Sequence, residues 1–454
     1  MLSPVAAYRN LRDRFAGSIM LESADYHDKT DSKSFICLDP IATFEINHHK
    51  CLMSIDQIEL KSLALDPDVS LSTIFQDFIR NFSFNSAIDE VNKYIGFYGY
   101  NTFEAVQYME NIRLNKFPVD QQTIPAFKYQ LFRYVLMFNH HTNELTTIGI
   151  DFEDRDRINL DQITDMLVNA HSPDFKFYTE EYETSPISDD TYRSYVQKGI
   201  KHCQLGDVFQ IVLSRRFQQS FKGDDFQVYR ALRSINPSPY LFYFDFGDFH
   251  IFGSSPEAQL KITDSKIEIH PIAGTIRRGQ NSTEDSTLSQ ELLADTKEKS
   301  EHVMLVDLAR NDLNRCATDV HVETFKEVQY FSHVIHMVSK VVGNIDQKTT
   351  QIKAFADTFP AGTLSGAPKY KAMELIHQTE ETPRSFYGGS IGFFGIDGSV
   401  NQAILIRSFL SQKNKLTYQA GAGITVNSKP DKELSEVENK IGALRLAIKK
   451  ATTL

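Results

Sequence analysis

Apolar and polar side chains alternate along this chain in two rhythms, one of period two and one near 3.6. In the first third, Ser18–Ser23, Ser34–Ile46 and Ala126–Phe138 follow the strand rhythm, and Leu145–Ile150 continues it after the turn at residues 140–143. Residues 171–186 are polar and weakly patterned and read as a linker. Ser188 or Asp189 then caps a helix whose apolar face is Tyr192, Tyr195, Val196, Ile200 and Cys203, with Gly206 as its stop. Three hairpins follow. Tyr240–Phe246 and Phe249–Ser254 flank Gly247-Asp248, Gln259–Thr263 and Lys266–Ile269 flank Asp264-Ser265, and Tyr387–Ile396 and Ser399–Phe409 flank Asp397-Gly398. A further strand is expected from Lys415 to Val426, and helices over about Thr283–Arg310, Gln351–Ala356, Pro368–Gln378 and Pro430–Ala451. Hairpins separated by helices predict an α+β fold, antiparallel β-sheets packed with helices, and not a doubly wound parallel sheet. The boundaries read as an N-terminal region over 1–170, a linker over 171–187 and a C-terminal region over 188–454.

The final helix carries the first chemical signal. Leu434, Val437, Ile441, Leu444 and Ile448 form an apolar stripe that must face the core, and Glu433, Glu436 and Lys440 run along its edge one residue earlier. Alone, Glu436 and Lys440 read as an i,i+4 surface pair. A second Glu-x-x-Glu, Glu298 and Glu301, precedes another apolar turn. Two such pairs brought together would repel by several kcal/mol at ~4 Å separation, and a hard divalent cation such as magnesium would relieve them. Whether the helices meet is beyond the sequence.

Glycines interrupt two β-rich runs, Tyr387-Gly-Gly-Ser-Ile-Gly-Phe-Phe-Gly395 and Gln419-Ala-Gly-Ala-Gly-Ile424. They mark either bulges or the close approach of a ligand such as a carboxylate. Gly421-Ala-Gly423 lacks the spacing and βαβ setting of a dinucleotide loop, and Gly362–Lys369 has a proline where a phosphate loop needs its glycine-lysine step.

Charge and cysteine usage narrow the class. The formal charge of −11 comes without a basic stripe, a poor electrostatic match for nucleic acid or anionic membrane that says nothing against binding a small anion. The four cysteines are scattered with no C-x-x-C, so reduced thiols are expected. The start lacks a basic and apolar leader, and no stretch approaches ~18 uninterrupted apolar residues, so a soluble, cytoplasmic protein is expected.

Read together, several segments resemble the chorismate-utilising enzymes, and among them the anthranilate synthase component I family. In order they are Gly206-Asp-Val-Phe-Gln-Ile-Val-Leu-Ser214, Ser254-Ser-Pro-Glu257, Pro271-Ile-Ala-Gly-Thr275, Glu298-Lys-Ser-Glu-His302 and Val306-Asp-Leu-Ala-Arg-Asn-Asp312. His336-Met-Val-Ser339, Phe359-Pro-Ala-Gly-Thr-Leu-Ser-Gly-Ala-Pro-Lys369 and Glu433-x-x-Glu436-x-x-x-Lys440 complete the set. The N-terminal third matches more loosely, through Met20-Leu-Glu-Ser23 and Gly96-Phe-Tyr-Gly-Tyr100.

The resemblance implies the chorismate-utilising enzyme fold and a set of roles. Glu298, Glu301, Glu433 and Glu436 would hold magnesium, which grips the ring carboxylate of chorismate. Lys440 and the backbone of Gly421, Ala422 and Gly423 would help bind that carboxylate, and Tyr387 and Arg407 would receive the enolpyruvyl carboxylate. Glu257 would be the general acid for the departing 4-hydroxyl, His336 would assist loss of the C2 proton, and Thr363 would orient the reacting groups. Gln210 and Ala273, with Gly274 and Thr275, would border the substrate. Water-adding relatives carry a lysine base where this chain has Gln210, and aminodeoxychorismate synthases usually carry a nucleophilic lysine where it has Ala273. Neither side chain here can do that work, which leaves anthranilate formation, with aminodeoxyisochorismate or aminodeoxychorismate synthesis, or a silent regulatory subunit, as the alternatives. Glu22, Ser23, Asn236, Pro237, Ser238, Pro239 and Tyr240 resemble the segments that cradle inhibitory tryptophan. Taken singly, Glu257 also reads as a turn residue, His336 as a satisfied helical histidine and Arg407 as a surface ion-pair partner.

The chemistry needs ammonia, and no cysteine here has the glycine-flanked setting of a glutaminase nucleophile. The resemblance therefore implies a glutamine amidotransferase small subunit as partner, in a heterotetramer of two large and two small chains.

Overall fold

The alternating segments pair as antiparallel strands throughout. The computed structural model describes residues 2–23, 32–47, 50–56, 58–65, 70–86, 88–114, 124–151, 159–169, 173–330 and 334–454. In the N-terminal part, Lys33–Asn47 pairs along its length with Phe127–Asn139, for example Phe44 opposite Tyr129. This part joins the rest at two ladders. Ile19–Glu22 pairs with Tyr240–Asp245, and Gly96–Asn101 pairs with Ser390–Gly395, where the rings of Tyr98 and Phe393 stack with centroids 5.2 Å apart. The two regions therefore share one hydrogen-bonded sheet system. They also share a core, in which Phe75 touches Phe44, Phe97, Phe127 and Tyr129 from the first region and Phe394 from the second.

The segment read as a linker contains a strand. Phe177–Thr184 pairs with Gln210–Gly223, and only Phe177 of it is buried. An edge strand largely uncovered on both faces has no apolar alternation to display, which is why the pattern looked like a loop. The single helix expected over Thr283–Arg310 is two, Ser282–Ala294 and Thr296–Leu313. Asp295 ends the first in an extended conformation and caps the second, accepting from the backbone N–H of Lys297 and Glu298. The last hairpin also differs. The run Ser399–Phe409 splits into Val400–Ile404 and Ser408–Gln412, with Arg407 at φ +50° between them. A non-glycine residue in that left-handed region is uncommon and is held there by its surroundings; the Arg407 carbonyl accepts from the Ser254 N–H at 3.1 Å.

The final helix, Pro430–Ala451, follows its stripe. Leu434, Val437, Ile441, Leu444 and Ile448 are all buried, packed toward the strand Lys415–Ile424 and the helix Phe226–Ile235. Each contributes about 1.5–3 kcal/mol by leaving water. That burial fixes the roll of the helix and so aims the acidic edge. No described helix is long and apolar enough to cross a membrane.

Candidate active site

Four carboxylates converge from two helix N-termini. Glu298 and Glu301 lie in the first turns of Thr296–Leu313, Glu433 and Glu436 in those of Pro430–Ala451. Burial and the nearby charge of Glu301 raise the pKa of Glu298, which also feels Glu436; burial and Glu436 raise that of Glu433. Lys297 sits in the field of all four. As the side chains are placed, no three acidic, histidine or cysteine groups among the described residues form a metal-holding set. The donor chemistry nevertheless fits magnesium, because hard oxygen donors repelling one another in a half-buried setting are what a divalent cation would neutralise.

The glycines make room for this cluster. A Cβ at Gly423 would lie 2.2 Å from Gln210 Nε2 and 3.3 Å from Glu301 Oε1. Gln210 needs that space to donate to Glu301 Oε1 at 3.0 Å. Gly274, at φ +76°, forms a bulge in the ladder between Ile272–Arg277 and Val334–Ile345. A side chain there would press on Leu292 and on Glu298 Oε2. Ala273 is buried beside the bulge; the side chain of Thr275 lies outside the described residues, while its backbone pairs with His336.

On the other side of the bulge stands a proton-handling group. Glu257 is buried, and burial pushes its carboxyl up to about 8 against the opposing pull of Arg407 and Lys440. Thr363 donates to Glu257 Oε1 at 3.1 Å. His336 lies on a strand rather than a helix, and its Nδ1 is 3.3 Å from the Gly274 carbonyl. A carbonyl only accepts, so Nδ1 carries the proton and Nε2 is the basic nitrogen of the neutral ring. Burial, reinforced by the Arg407 charge, lowers its pKa to about 4, so the ring is neutral across the physiological range. Arg407 is held in the field of Glu257 by its left-handed backbone.

Lys440 donates to Glu436 Oε1 at 2.7 Å and to the Gly421 carbonyl at 2.9 Å, so the i,i+4 pair forms and the lysine also reaches the glycine-rich strand. Tyr387 is buried with its hydroxyl against the backbone of Gly421. Behind it stands Arg384, which the sequence reading missed. Arg384 is 1% exposed, chelates Glu380 at 2.8 and 2.9 Å, donates to the carbonyls of Leu364 and Val212, and lies 5.7 Å from the Tyr387 ring centre. Its neighbourhood, Glu381-Thr-Pro-Arg384, reads as a polar turn, so only the strict positions of its acceptors reveal a core role.

A second constellation is assembled at a distance from the carboxylates. Glu22 pairs with Leu241 across the Ile19–Glu22 ladder, which brings it next to the Asn236–Tyr240 segment. Its buried carboxylate takes both guanidinium bonds of Arg233 at 2.9 Å and the Tyr229 hydroxyl at 2.6 Å. Ser238 is buried, Pro237, Pro239, Tyr240 and Ser23 are half-buried, and Asn236 bonds Ser254.

Comparison with known proteins agrees with this geometry. The chorismate binding enzyme family matches residues 19–445. The anthranilate synthase component 1 of Aquifex aeolicus is 33% identical over 98% of this chain and 92% of its own length. The crystal structure of anthranilate synthase component I from Streptococcus pneumoniae superposes with a TM-score of 0.78 at 28% identity, covering 91% of this chain and 92% of that one. The menaquinone-specific isochorismate synthase of Escherichia coli shares the fold, with a TM-score of 0.73 at 19% identity over 98% and 91% of the two chains.

Proposed function

The chain belongs to the chorismate binding enzymes, in their anthranilate synthase component 1 branch, and from this premise we propose that it is a magnesium-dependent lyase that converts chorismate and ammonia to anthranilate and pyruvate. The observation that carries the reading is the pairing of a protonated acid with a neutral base, Glu257 and His336, on either side of the Gly274 bulge with Arg407 beside both. Environments that push two titratable groups apart in this way suit one to give a proton and the other to take one.

Glu257 gives its proton to the 4-hydroxyl as the C–O bond breaks, and Thr363 holds the carboxyl in line. Ammonia adds at C2. His336 Nε2 then takes the C2 proton, pyruvate leaves and the ring becomes aromatic. Arg407 and Tyr387 hold the enolpyruvyl carboxylate, while Lys440 and the backbone at Gly421, Ala422 and Gly423 face the ring carboxylate. Glu298, Glu301, Glu433 and Glu436 would hold magnesium, whose charge would neutralise them and bind that carboxylate. Gln210 and Ala273 supply no base or nucleophile, which favours amination over addition of water or a covalent adduct. Ammonia comes from glutamine through a glutamine amidotransferase small subunit, and tryptophan binds at the Glu22 and Asn236–Tyr240 segments to inhibit.

Product analysis tests the reading. The pure chain with chorismate, magnesium and ammonium should form anthranilate and pyruvate in equal amounts. Accumulation of a non-aromatic aminated product would place the chain with enzymes that stop at the intermediate.

A further inference from the structure

Glu257 and Thr363 also border a cavity of about 30 Å³ whose other walls include Gln259, Leu308, Asp312 and Thr358. None of the four magnesium-site carboxylates, His336 or Arg407 lines it. One water needs about 10–15 Å³, so the space holds a water or two. Its walls are polar where it matters. Gln259 is 2% exposed and donates from Nε2 to the Thr358 carbonyl at 3.2 Å. That carbonyl also takes Lys369 Nζ at 2.9 Å, and Lys369 pairs with Asp312 at 2.6 Å. The bond to a carbonyl fixes the amide, since the flipped form would set oxygen against oxygen. The oxygen Oε1 is therefore the atom left over, buried and without a hydrogen-bond partner among the described residues. Leu308, Ala361, Gly362 and Thr363 are only half-buried, so the cavity reaches the molecular surface on their side.

We propose that Gln259 is a positioning residue that holds a water against the Glu257 carboxyl, and that the cavity is the path by which Glu257 is reprotonated between turnovers. The proposal rests on Glu257 being the general acid. As the C4–O bond breaks, the Glu257 O–H breaks and its proton leaves within the product water. A new O–H forms on Glu257 from the water bound to Gln259. The balance is closed by the proton that the nitrogen sheds to solvent as the adduct's ammonium becomes an amine. Gln259 is neutral and touches no substrate, so its effect falls on proton return and not on binding.

Gln259→Leu keeps the bulk and removes the acceptor. We expect kcat to fall about tenfold, a fraction of the usual contribution of a positioned acid, with KM for chorismate within about twofold. The solvent deuterium isotope effect on kcat should rise, a readout that a merely structural role would not move. A crystal structure of the unaltered protein should show an ordered water between Gln259 Oε1 and Glu257. Wild-type kcat and isotope effect in Gln259→Leu, or a dry cavity in the crystal, overturns the proposal, and the crystal decides if the variant does not fold. Glu257→Gln separates the levels. If it is inactive while Gln259→Leu is normal, only the water path fails; if it is fully active, the acid assignment fails first.

Discussion

Glu257 keeps its proton because water has been replaced by protein around it, and Arg407 and Lys440 do not fully compensate. The sign follows directly. Below about 8 the carboxyl is protonated and can serve as the acid; above it the group ionises and the acid is lost. At a fixed concentration of free ammonia, kcat/KM should therefore fall with rising pH above about 8, approaching roughly tenfold per pH unit. Glu257→Gln should lack the limb altogether, and a flat profile from pH 7 to 9.5 would remove Glu257 from the role. The proposed mechanism assigns His336 to a different step. Burial and the Arg407 charge keep its ring neutral down to about pH 4, against the smaller opposing effect of its bond to the Gly274 carbonyl, which orients it. His336→Met should still consume chorismate while the aminated, non-aromatic intermediate builds up, as read by mass spectrometry; normal anthranilate output from that variant would contradict the assignment. Glu257 was visible in the sequence only through the ordered motifs around it, since a lone glutamate at a strand end looks like any turn residue. Its burial, which gives it the needed proton, is not a local property.

At the scale of elements, two helix N-termini create the anionic centre. Each helix alone displays an unremarkable Glu-x-x-Glu, and the apolar stripe of Pro430–Ala451 is what rolls Glu433 inward until it is buried. The break at Asp295 does the same for the other pair. It starts a fresh helix whose first turn carries Glu298, where a continuous helix would have set a different phase. The sequence pattern runs through this break because both segments have helical periodicity and the capping aspartate is a short polar residue like many others there. Glu301→Gln or Glu436→Gln should cut turnover by ~10²-fold or more, with circular dichroism unchanged and magnesium affinity by calorimetry weakened. Full activity in excess EDTA would show that no metal is needed. The bulge at Gly274 and the left-handed Arg407 belong to this scale too, each turning a regular ladder into a place where a side chain can be aimed.

At the scale of the whole molecule, the segments proposed to bind tryptophan and the cluster of glutamates are connected by sheet. The strand Phe249–Ser255 pairs on one side with Tyr240–Asp245 and on the other with Ser408–Gln412, next to Arg407. A ligand at Ser23 and Asn236–Tyr240 would act by favouring one arrangement of these strands. Ser23→Phe should abolish tryptophan inhibition while retaining activity to within about twofold; unchanged inhibition in rate assays would place the effector elsewhere. Three of the four free cysteines are buried and Cys203 lies half-buried on a helix, and burial pushes the thiols of Cys37, Cys51, Cys203 and Cys316 up. A raised thiol pKa is the opposite of what a glutaminase nucleophile needs. The isolated chain should therefore use ammonium and not glutamine until a small subunit is added, and glutamine-dependent anthranilate formation by the chain alone would refute the partner. What the sequence by itself determined is the local matter: periodicity named most hairpins and the final helix, and ordered motifs singled out Glu257, His336 and the four glutamates that the proposed reading uses. What only the tertiary structure decided is everything that depends on residues far apart in the chain. The ladders at Ile19–Glu22 and Gly96–Asn101 fuse the two predicted regions, the polar turn at Arg384 becomes core, and Glu298 meets the field of Glu436. Periodicity reports which face of an element avoids water, but pairing register, burial and electrostatic potential are set by partners that the local sequence does not contain.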